Sequence, residues 1–217
     1  MPFRDRTDAG RRLALRLVEW ADSGDLVNRL VLALPRGGVP VAAEISRALH
    51  APLDVLVARK IGAPGRPETA VGAVVDDEPP VFDRRSLDAL ELTEDAFDSE
   101  VTRERDELRR REHVYRGGRP APDVRGRAVV LVDDGLATGL TATAALRHLR
   151  RQDPGRLVLA VPVCSPRAAD ELRAEADDVV CLEQPGSFRA VGEWYEDFAQ
   201  LSDSEVVDTL RTFHATA

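Results

Sequence analysis

The sequence has few cysteines, a single lysine and no long apolar run. Its two cysteines, Cys164 and Cys181, are too few for a disulfide framework or a zinc site. No stretch approaches the roughly 20 apolar residues that a membrane span requires. The segment from Met1 to Gly10 lacks the apolar centre of a secretory signal. We therefore expect a cytoplasmic protein without a membrane partner.

Basic residues are fewer than acidic ones. The chain carries 38 acidic and 30 basic residues, a net charge of −8, which argues against a general nucleic-acid binder. Lys60 is the only lysine, and the remaining basic residues are arginines. A genome-wide codon bias is the simplest explanation for the excess of arginine over lysine. A lone lysine is also a candidate for chemistry that needs a compact point charge.

The 217 residues suit one large α/β domain, or a core with a small subdomain. Apolar runs alternate with helical patterns, which predicts a parallel sheet with crossover helices. Strands are predicted at Leu30–Leu34, Leu53–Val57, Val71–Val75, Ala128–Val132, Leu157–Val161 and Val179–Leu182. Helices are predicted at Arg6–Ala21, Val39–Leu49, Gly139–Arg150, Pro166–Ala174 and Ser202–Phe213.

Three segments do not follow this alternation. Ile61 to Ala70 holds two glycines and two prolines, which predicts an irregular, mobile loop. Arg84 to Glu112 is predicted to be mostly helical and is highly charged. Its charged run, 103–111, fits a solvated helix with i,i+4 ion pairs, or else a subunit interface or a cationic arm near an anionic ligand. Gln184 to Gln200 is predicted to be irregular and holds four of the ten aromatic residues, Phe188, Trp194, Tyr195 and Phe198.

The most informative segment follows the strand predicted at Ala128–Val132. Two carboxylates, Asp133 and Asp134, end the strand, and a short loop rich in glycine and threonine leads into a helix. Ligands bind beyond the carboxyl ends of parallel strands, and such a loop at a helix N-terminus binds anions. The carboxylates suit hydroxyl groups or a metal on the same ligand. A phosphate next to hydroxyl groups describes a ribose 5-phosphate.

This segment resembles the phosphoribosyl pyrophosphate motif of type I phosphoribosyltransferases, which combines a strand, an acidic pair and a Thr-Gly-x-Thr loop. Arg36, Gly37 and Gly38 resemble the loop that holds pyrophosphate in that family. Arg59 and Lys60 resemble its basic pair, and the segment after them takes the place of its flexible catalytic loop. The runs 58–64 and 190–198 resemble a bacterial branch of predicted phosphoribosyltransferases, sometimes fused to hydrolase domains.

The resemblance implies a three-layer α/β fold with a mostly parallel central sheet flanked by helices, and a small C-terminal hood. The chain then forms a single domain over 1–217, with its core at about 25–182. A flexible loop at 60–70 and a charged helical insertion at 84–112 belong to the domain, and the hood and C-terminal helix cover 183–214. The resemblance also implies a homodimer.

The implied activity is a magnesium-dependent pentosyl transfer in nucleotide salvage. The 5-phosphoribosyl group of phosphoribosyl pyrophosphate passes to a nitrogenous base or similar small acceptor, and pyrophosphate is released. The resemblance assigns the 5-phosphate to Gly135, Ala137, Thr138, Gly139, Leu140 and Thr141. It assigns pyrophosphate to Arg36, Gly37, Gly38, Arg59 and Lys60. Catalysis falls to Asp133, Asp134, Lys60 and Arg36, and Asp133 and Asp134 would reach Mg²⁺ through ribose hydroxyls or water.

The acceptor stays open at this point. Ala137 stands where 6-oxopurine enzymes of the family carry an aspartate, so a guanine or hypoxanthine substrate is less expected. Aromatic residues of the hood would stack on a planar base, or would only pack the C-terminal helix onto the core. The stacking candidates are Phe188, Trp194 and Tyr195. Alternative functions are a non-catalytic sensor of phosphoribosyl pyrophosphate or a nucleotide, and an enzyme of the same fold that performs phosphorolysis or hydrolysis.

Overall fold

The computed structural model describes residues 2–20, 28–63 and 65–214. The helices are α1 (Arg6–Trp20), α2 (Gly38–Leu49), α3 (Arg84–Leu90), α4 (Asp98–Arg116), α5 (Leu140–Arg150), α6 (Pro166–Leu172) and α7 (Asp203–His214). The strands are β1 (Arg29–Ala33), β2 (Leu53–Val55), β3 (Ala58–Ala63), β4 (Arg66–Val75), β5 (Val81–Phe82), β6 (Ala128–Val132), β7 (Arg156–Val163) and β8 (Asp178–Glu183).

A parallel sheet of five strands, in the order β2-β1-β6-β7-β8, forms the centre. Every residue of β6 is buried, as expected for a parallel strand covered on both faces. Alternate residues serve opposite faces: Val130 packs with α1, α2 and α7, and Leu131 packs with α5 and α6. The predicted three-layer fold with a mostly parallel sheet is therefore confirmed.

A second, antiparallel sheet corrects one prediction. The segment from Ile61 to Ala70 was expected to be irregular, but it forms the distal part of the β3–β4 hairpin, to which β5 is added. Register shifts on both sides of Gly62 accommodate the irregular spacing within a paired hairpin, as β-bulges do. Pro64, also in this segment, lies outside the described residues. The mobility of the hairpin stays a prediction.

The charged segment after β5 divides into α3, a 3₁₀ turn at Glu94–Phe97 and the long helix α4. Helix α4 buries Val101, Leu108 and Tyr115 against the core. Its opposite face carries ion pairs at helical spacing, among them Arg110 with Glu107. The helix thus has the ion pairs expected of a solvated helix and is also packed firmly onto the domain.

The beginning of the described chain pairs with the segment after β8. The Phe3 N–H donates to the Trp194 carbonyl at 2.7 Å, and the Phe3 carbonyl accepts from Glu196 N–H at 2.8 Å. The segment 184–200 is irregular, as predicted, except for a 3₁₀ turn at Val191–Trp194. The predicted last residue of α1, Ala21, lies outside the described residues. None of the helices within residues 2–20, 28–63 and 65–214 has the length and apolar content needed to cross a membrane.

Candidate functional site

A cavity of about 520 Å³ lies beyond the carboxyl ends of β1 and β6. Its lining residues from the parallel sheet and the loops after β1 and β6 are Leu34, Pro35, Gly37, Asp133, Asp134, Gly135, Leu136, Ala137, Thr138, Gly139 and Thr141. The hairpin, α4 and the hood add Ala58, Arg59, Lys60, Gly62, Arg103, Glu104, Arg111, Val191 and Phe198. The structure thus brings segments from across the chain to the site that the sequence predicts.

The two carboxylates at the end of β6 have different surroundings. Asp133 Oδ1 accepts the Asp134 N–H at 2.8 Å, and Asp134 Oδ2 accepts Arg6 Nε at 2.7 Å. Burial, and then the charge of Asp134, raise the pKa of Asp133 well above its ordinary value. Burial also raises the pKa of Asp134, although the Arg6 hydrogen bond and the charge of Lys60 oppose this effect. The Asp134 carboxylate is thus held by a cation, and that of Asp133 by a backbone amide.

Arg6 is a site residue that sequence reasoning missed. Its side chain is 11% exposed, and besides Asp134 it donates to the Ala199 carbonyl at 2.8 Å. Its guanidinium also lies 3.9 Å from the centre of the Phe198 ring, a cation–π contact. Arg6 therefore joins α1, the acidic pair and the hood. Since 128 positions separate Arg6 from Asp134, the sequence carries no local signal for this contact.

The loop after the acidic pair is built for close backbone approach. Gly139 has a positive φ of 75° and immediately precedes α5. Because Gly139 and Thr141 line the cavity, the N-terminus of this helix lies beside it. The Leu136 N–H donates to the Val163 carbonyl at 2.9 Å, and the Ser165 hydroxyl donates to the Ala137 carbonyl at 2.7 Å. These bonds fix the loop against the end of β7 and the N-cap residue of α6. Most of the predicted 5-phosphate residues line the cavity, whereas Leu140 packs against the core.

The loop after β1 presses against the acidic pair. A Cβ on Gly37 would overlap Asp134 Oδ2, and one on Gly38 would lie 2.6 Å from the Val132 carbonyl oxygen. Both positions therefore need glycine. Pro35 and Gly37 line the cavity, while the Arg36 side chain reaches toward Asp203, with 3.6 Å between its Nη1 and Oδ1. The Arg36 side chain therefore does not line the cavity, where the family resemblance implies that it contacts pyrophosphate.

The basic pair of β3 does reach the cavity, together with residues of α4. Arg59 pairs with Glu104 at 2.7 Å, and Arg103 lies 3.3 Å from the other oxygen of Glu104. Lys60 is near enough to Asp133 and Asp134 to oppose the rise that burial causes in the pKa of both. The charged run of α4, which the sequence left between several interpretations, therefore contributes to the wall of the site.

The hood residues that line the cavity are not the expected stacking residues. Tyr195 is 6% exposed, stacks on Phe198 at 5.0 Å between centroids, and donates its hydroxyl to the Asp134 carbonyl at 2.6 Å. Burial raises the pKa of this hydroxyl well above its ordinary value. Phe188 and Trp194 pack against the same cluster. Val191 and Phe198 line the cavity instead, and sequence reasoning had assigned them no role there.

The chain is similar to known proteins over nearly its whole length. The model of the phosphoribosyl transferase domain matches residues 5–199. Two curated proteins of Mycobacterium tuberculosis, from strains CDC 1551 and H37Rv, bear the name "putative phosphoribosyl transferase" and are 45% identical over 212 residues, 98% of this chain. The chain spans about half the length of these relatives, 47% of each.

Solved structures of other proteins are also similar to this chain. A protein from Thermus thermophilus is 44% identical, with a TM-score of 0.79 over 98% of this chain and 99% of its own. A hypothetical protein from Neisseria gonorrhoeae, solved with bound ppGpp, is 13% identical with a TM-score of 0.50 over 98% of each chain. The latter shares the fold alone.

Proposed function

We propose, because this chain belongs to the phosphoribosyl transferase domain family, that it transfers the 5-phosphoribosyl group of phosphoribosyl pyrophosphate to a nitrogenous base or similar acceptor. Such an enzyme is a pentosyltransferase that releases pyrophosphate. One observation carries the proposal: the acidic pair, the glycine–threonine loop and Lys60 line the same cavity. We also propose that the protein acts as a homodimer.

The ribose 5-phosphate half of the substrate fits the loop after β6. Backbone N–H groups at the start of α5 and the hydroxyls of Thr138 and Thr141 would bind the phosphate. The Asp133 carboxylate would accept hydrogen bonds from the ribose hydroxyls. Asp134 would hold the loop and the hood together, because its carboxylate accepts a hydrogen bond from Arg6 and its backbone carbonyl accepts one from Tyr195. The two carboxylates therefore have unequal roles in this proposal.

The leaving group lies on the side of Lys60 and the loop after β1. In the transfer, the bond between ribose C1 and the pyrophosphate oxygen breaks, and its electron pair leaves with pyrophosphate. The acceptor nitrogen forms the new bond to C1 and releases a proton. Negative charge grows on pyrophosphate, and the fixed ammonium group of Lys60 would stabilise it. Arg59, oriented by Glu104, would add a second cation.

The residues fit a magnesium ion that arrives with the substrate. Mg²⁺ prefers oxygen ligands and is commonly held by one or two carboxylates together with substrate oxygens. Asp133 and Asp134 offer such oxygens, and no group of three or more His, Cys, Asp or Glu in the described chain forms a complete metal cluster. When bound, the ion would neutralise charge on the leaving pyrophosphate.

Titration calorimetry with phosphoribosyl pyrophosphate, with and without Mg²⁺, is the direct test. A panel of bases is then screened for pyrophosphate release. We expect magnesium-dependent binding and release with at least one base. Binding without release for any acceptor would favour a sensor of the same fold. Absence of binding would refute the assignment of the cavity.

A further inference from the structure

Helix α4 is fixed rigidly beside the cavity. Arg116, near its C-terminal end, is buried and donates through Nη2 to the Val55 carbonyl at 2.7 Å. The hydroxyl of Tyr115 donates to Asp203 at 2.6 Å, at the start of α7. These bonds tie the last turns of α4 to β2 and α7. The turn before them, which carries Arg111, therefore has a defined position.

Arg111 lies on the cavity side of this turn. Its side chain is 15% exposed, and its Nε donates to Glu107 Oε1 at 2.7 Å. Glu107 also accepts two hydrogen bonds from Arg110, so its charge is shared between two guanidinium groups. A guanidinium has five N–H donors, and the bond to Glu107 uses one of those of Arg111. The side chain is thus oriented by Glu107 while it lines the cavity.

The local charge balance leaves positive charge at this end of the cavity. Three guanidinium groups, of Arg36, Arg110 and Arg111, surround two carboxylates, of Glu107 and Asp203. The Tyr115 hydrogen bond, together with Arg110 and Arg111, lowers the pKa of Asp203, so its carboxylate is already engaged. Of the three arginines, Arg111 is the one that lines the cavity. An anion in the cavity next to the loop after β1 would meet this cation.

We propose that Arg111 is a catalytic residue that binds the pyrophosphate group of phosphoribosyl pyrophosphate, the role that the family resemblance implies for Arg36. The guanidinium offers paired N–H donors that match phosphate oxygens. As the C1–oxygen bond breaks, it stabilises the charge that develops on the leaving group. The inference rests on the proposed transferase function. It places a further cation, supplied by α4, beside the leaving group in addition to Lys60.

The test separates the two halves of the substrate. Titration calorimetry measures the affinity for inorganic pyrophosphate with Mg²⁺, for phosphoribosyl pyrophosphate with Mg²⁺, and for ribose 5-phosphate. Arg111→Gln should weaken the first two by about 10- to 100-fold, the value of a hydrogen bond to a charged group, and leave ribose 5-phosphate unchanged. Arg111→Lys should retain part of the affinity. The matched control is Arg110→Gln, which also removes a partner of Glu107 but lies outside the lining, and it should bind all three probes as the parent does.

Several results would overturn the inference. They are unchanged pyrophosphate affinity in Arg111→Gln, an equal loss for ribose 5-phosphate, or the same loss in Arg110→Gln. If Arg111→Gln does not fold, as judged by its melting curve, Arg111→Lys decides: parental pyrophosphate affinity in that variant would overturn it. Failure of the parent protein to bind phosphoribosyl pyrophosphate would instead refute the proposed function, and this inference with it.

Discussion

Replacing Arg6 by methionine should destabilise the protein through the loss of one buried ion pair. The Arg6–Asp134 contact is 2.7 Å, and the two side chains are 11% and 13% exposed. Breaking a buried pair by removing one partner typically costs about 3–5 kcal/mol, because the other charge stays buried. Lys60 still faces Asp134 and compensates in part, so we expect about 3 kcal/mol. For a domain of this size, that corresponds to a fall in Tm of roughly 6–12 °C.

Urea unfolding of a double-mutant cycle checks this value. Arg6→Met, Asp134→Asn and the double variant are compared with the parent, and a coupling energy of about 2 kcal/mol or more is expected for groups in direct contact. The control is Arg16→Met on the same helix, whose side chain is 68% exposed and 3.5 Å from Glu19. It should change stability by less than about 0.5 kcal/mol. Additive effects of Arg6→Met and Asp134→Asn would refute the reasoning.

Three further outcomes are expected. Gly38→Ala should destabilise the fold by about 1–3 kcal/mol in urea unfolding, because its Cβ would meet the Val132 carbonyl oxygen at 2.6 Å, and an unchanged midpoint would contradict this close approach. Hydrogen bonding to Arg110 lowers the pKa of Glu107 to about 2, so the stability from this group is complete above pH 4.5 and is lost as the pH falls toward 2. Glu107→Gln should therefore flatten the acid-unfolding curve in that range. Asp133→Asn and Lys60→Ala should each lower turnover by ~10²–10³ with little change in Tm, and a matching collapse of the fold would make these residues structural.

Local patterns in the sequence predict the parallel sheet and the loop between β6 and α5 well. The apolar run Ala128–Val132 is β6 with the same bounds, because a fully buried parallel strand leaves a continuous apolar signal. The acidic pair and the loop after it follow directly in the chain, so their arrangement is local. The prediction for 61–70 was wrong, since glycine and proline in a bulged hairpin have the same composition as an irregular loop.

Contacts between distant segments could not be predicted. Arg6 reaches Asp134, and Phe198 reaches the cavity, only because the first and last parts of the fold meet. The charged run of α4 has the same composition whether it faces water or a ligand, and its place at the cavity follows from the anchoring of Tyr115 and Arg116. The direction of Arg36 depends in the same way on Asp203, which lies far along the chain.

The pairing of Phe3 with Tyr195 sets an order of events during synthesis on the ribosome. Phe3 and Arg6 emerge long before their partners in 194–199, and 193 positions separate Arg6 from Ala199. At translation rates of roughly 5–20 residues per second, they wait for about 10–40 s. Meanwhile β1, β6 and β7 can already pair in the nascent chain. The cavity beyond β1 and β6 therefore acquires its final wall only after residues 194–199 have emerged.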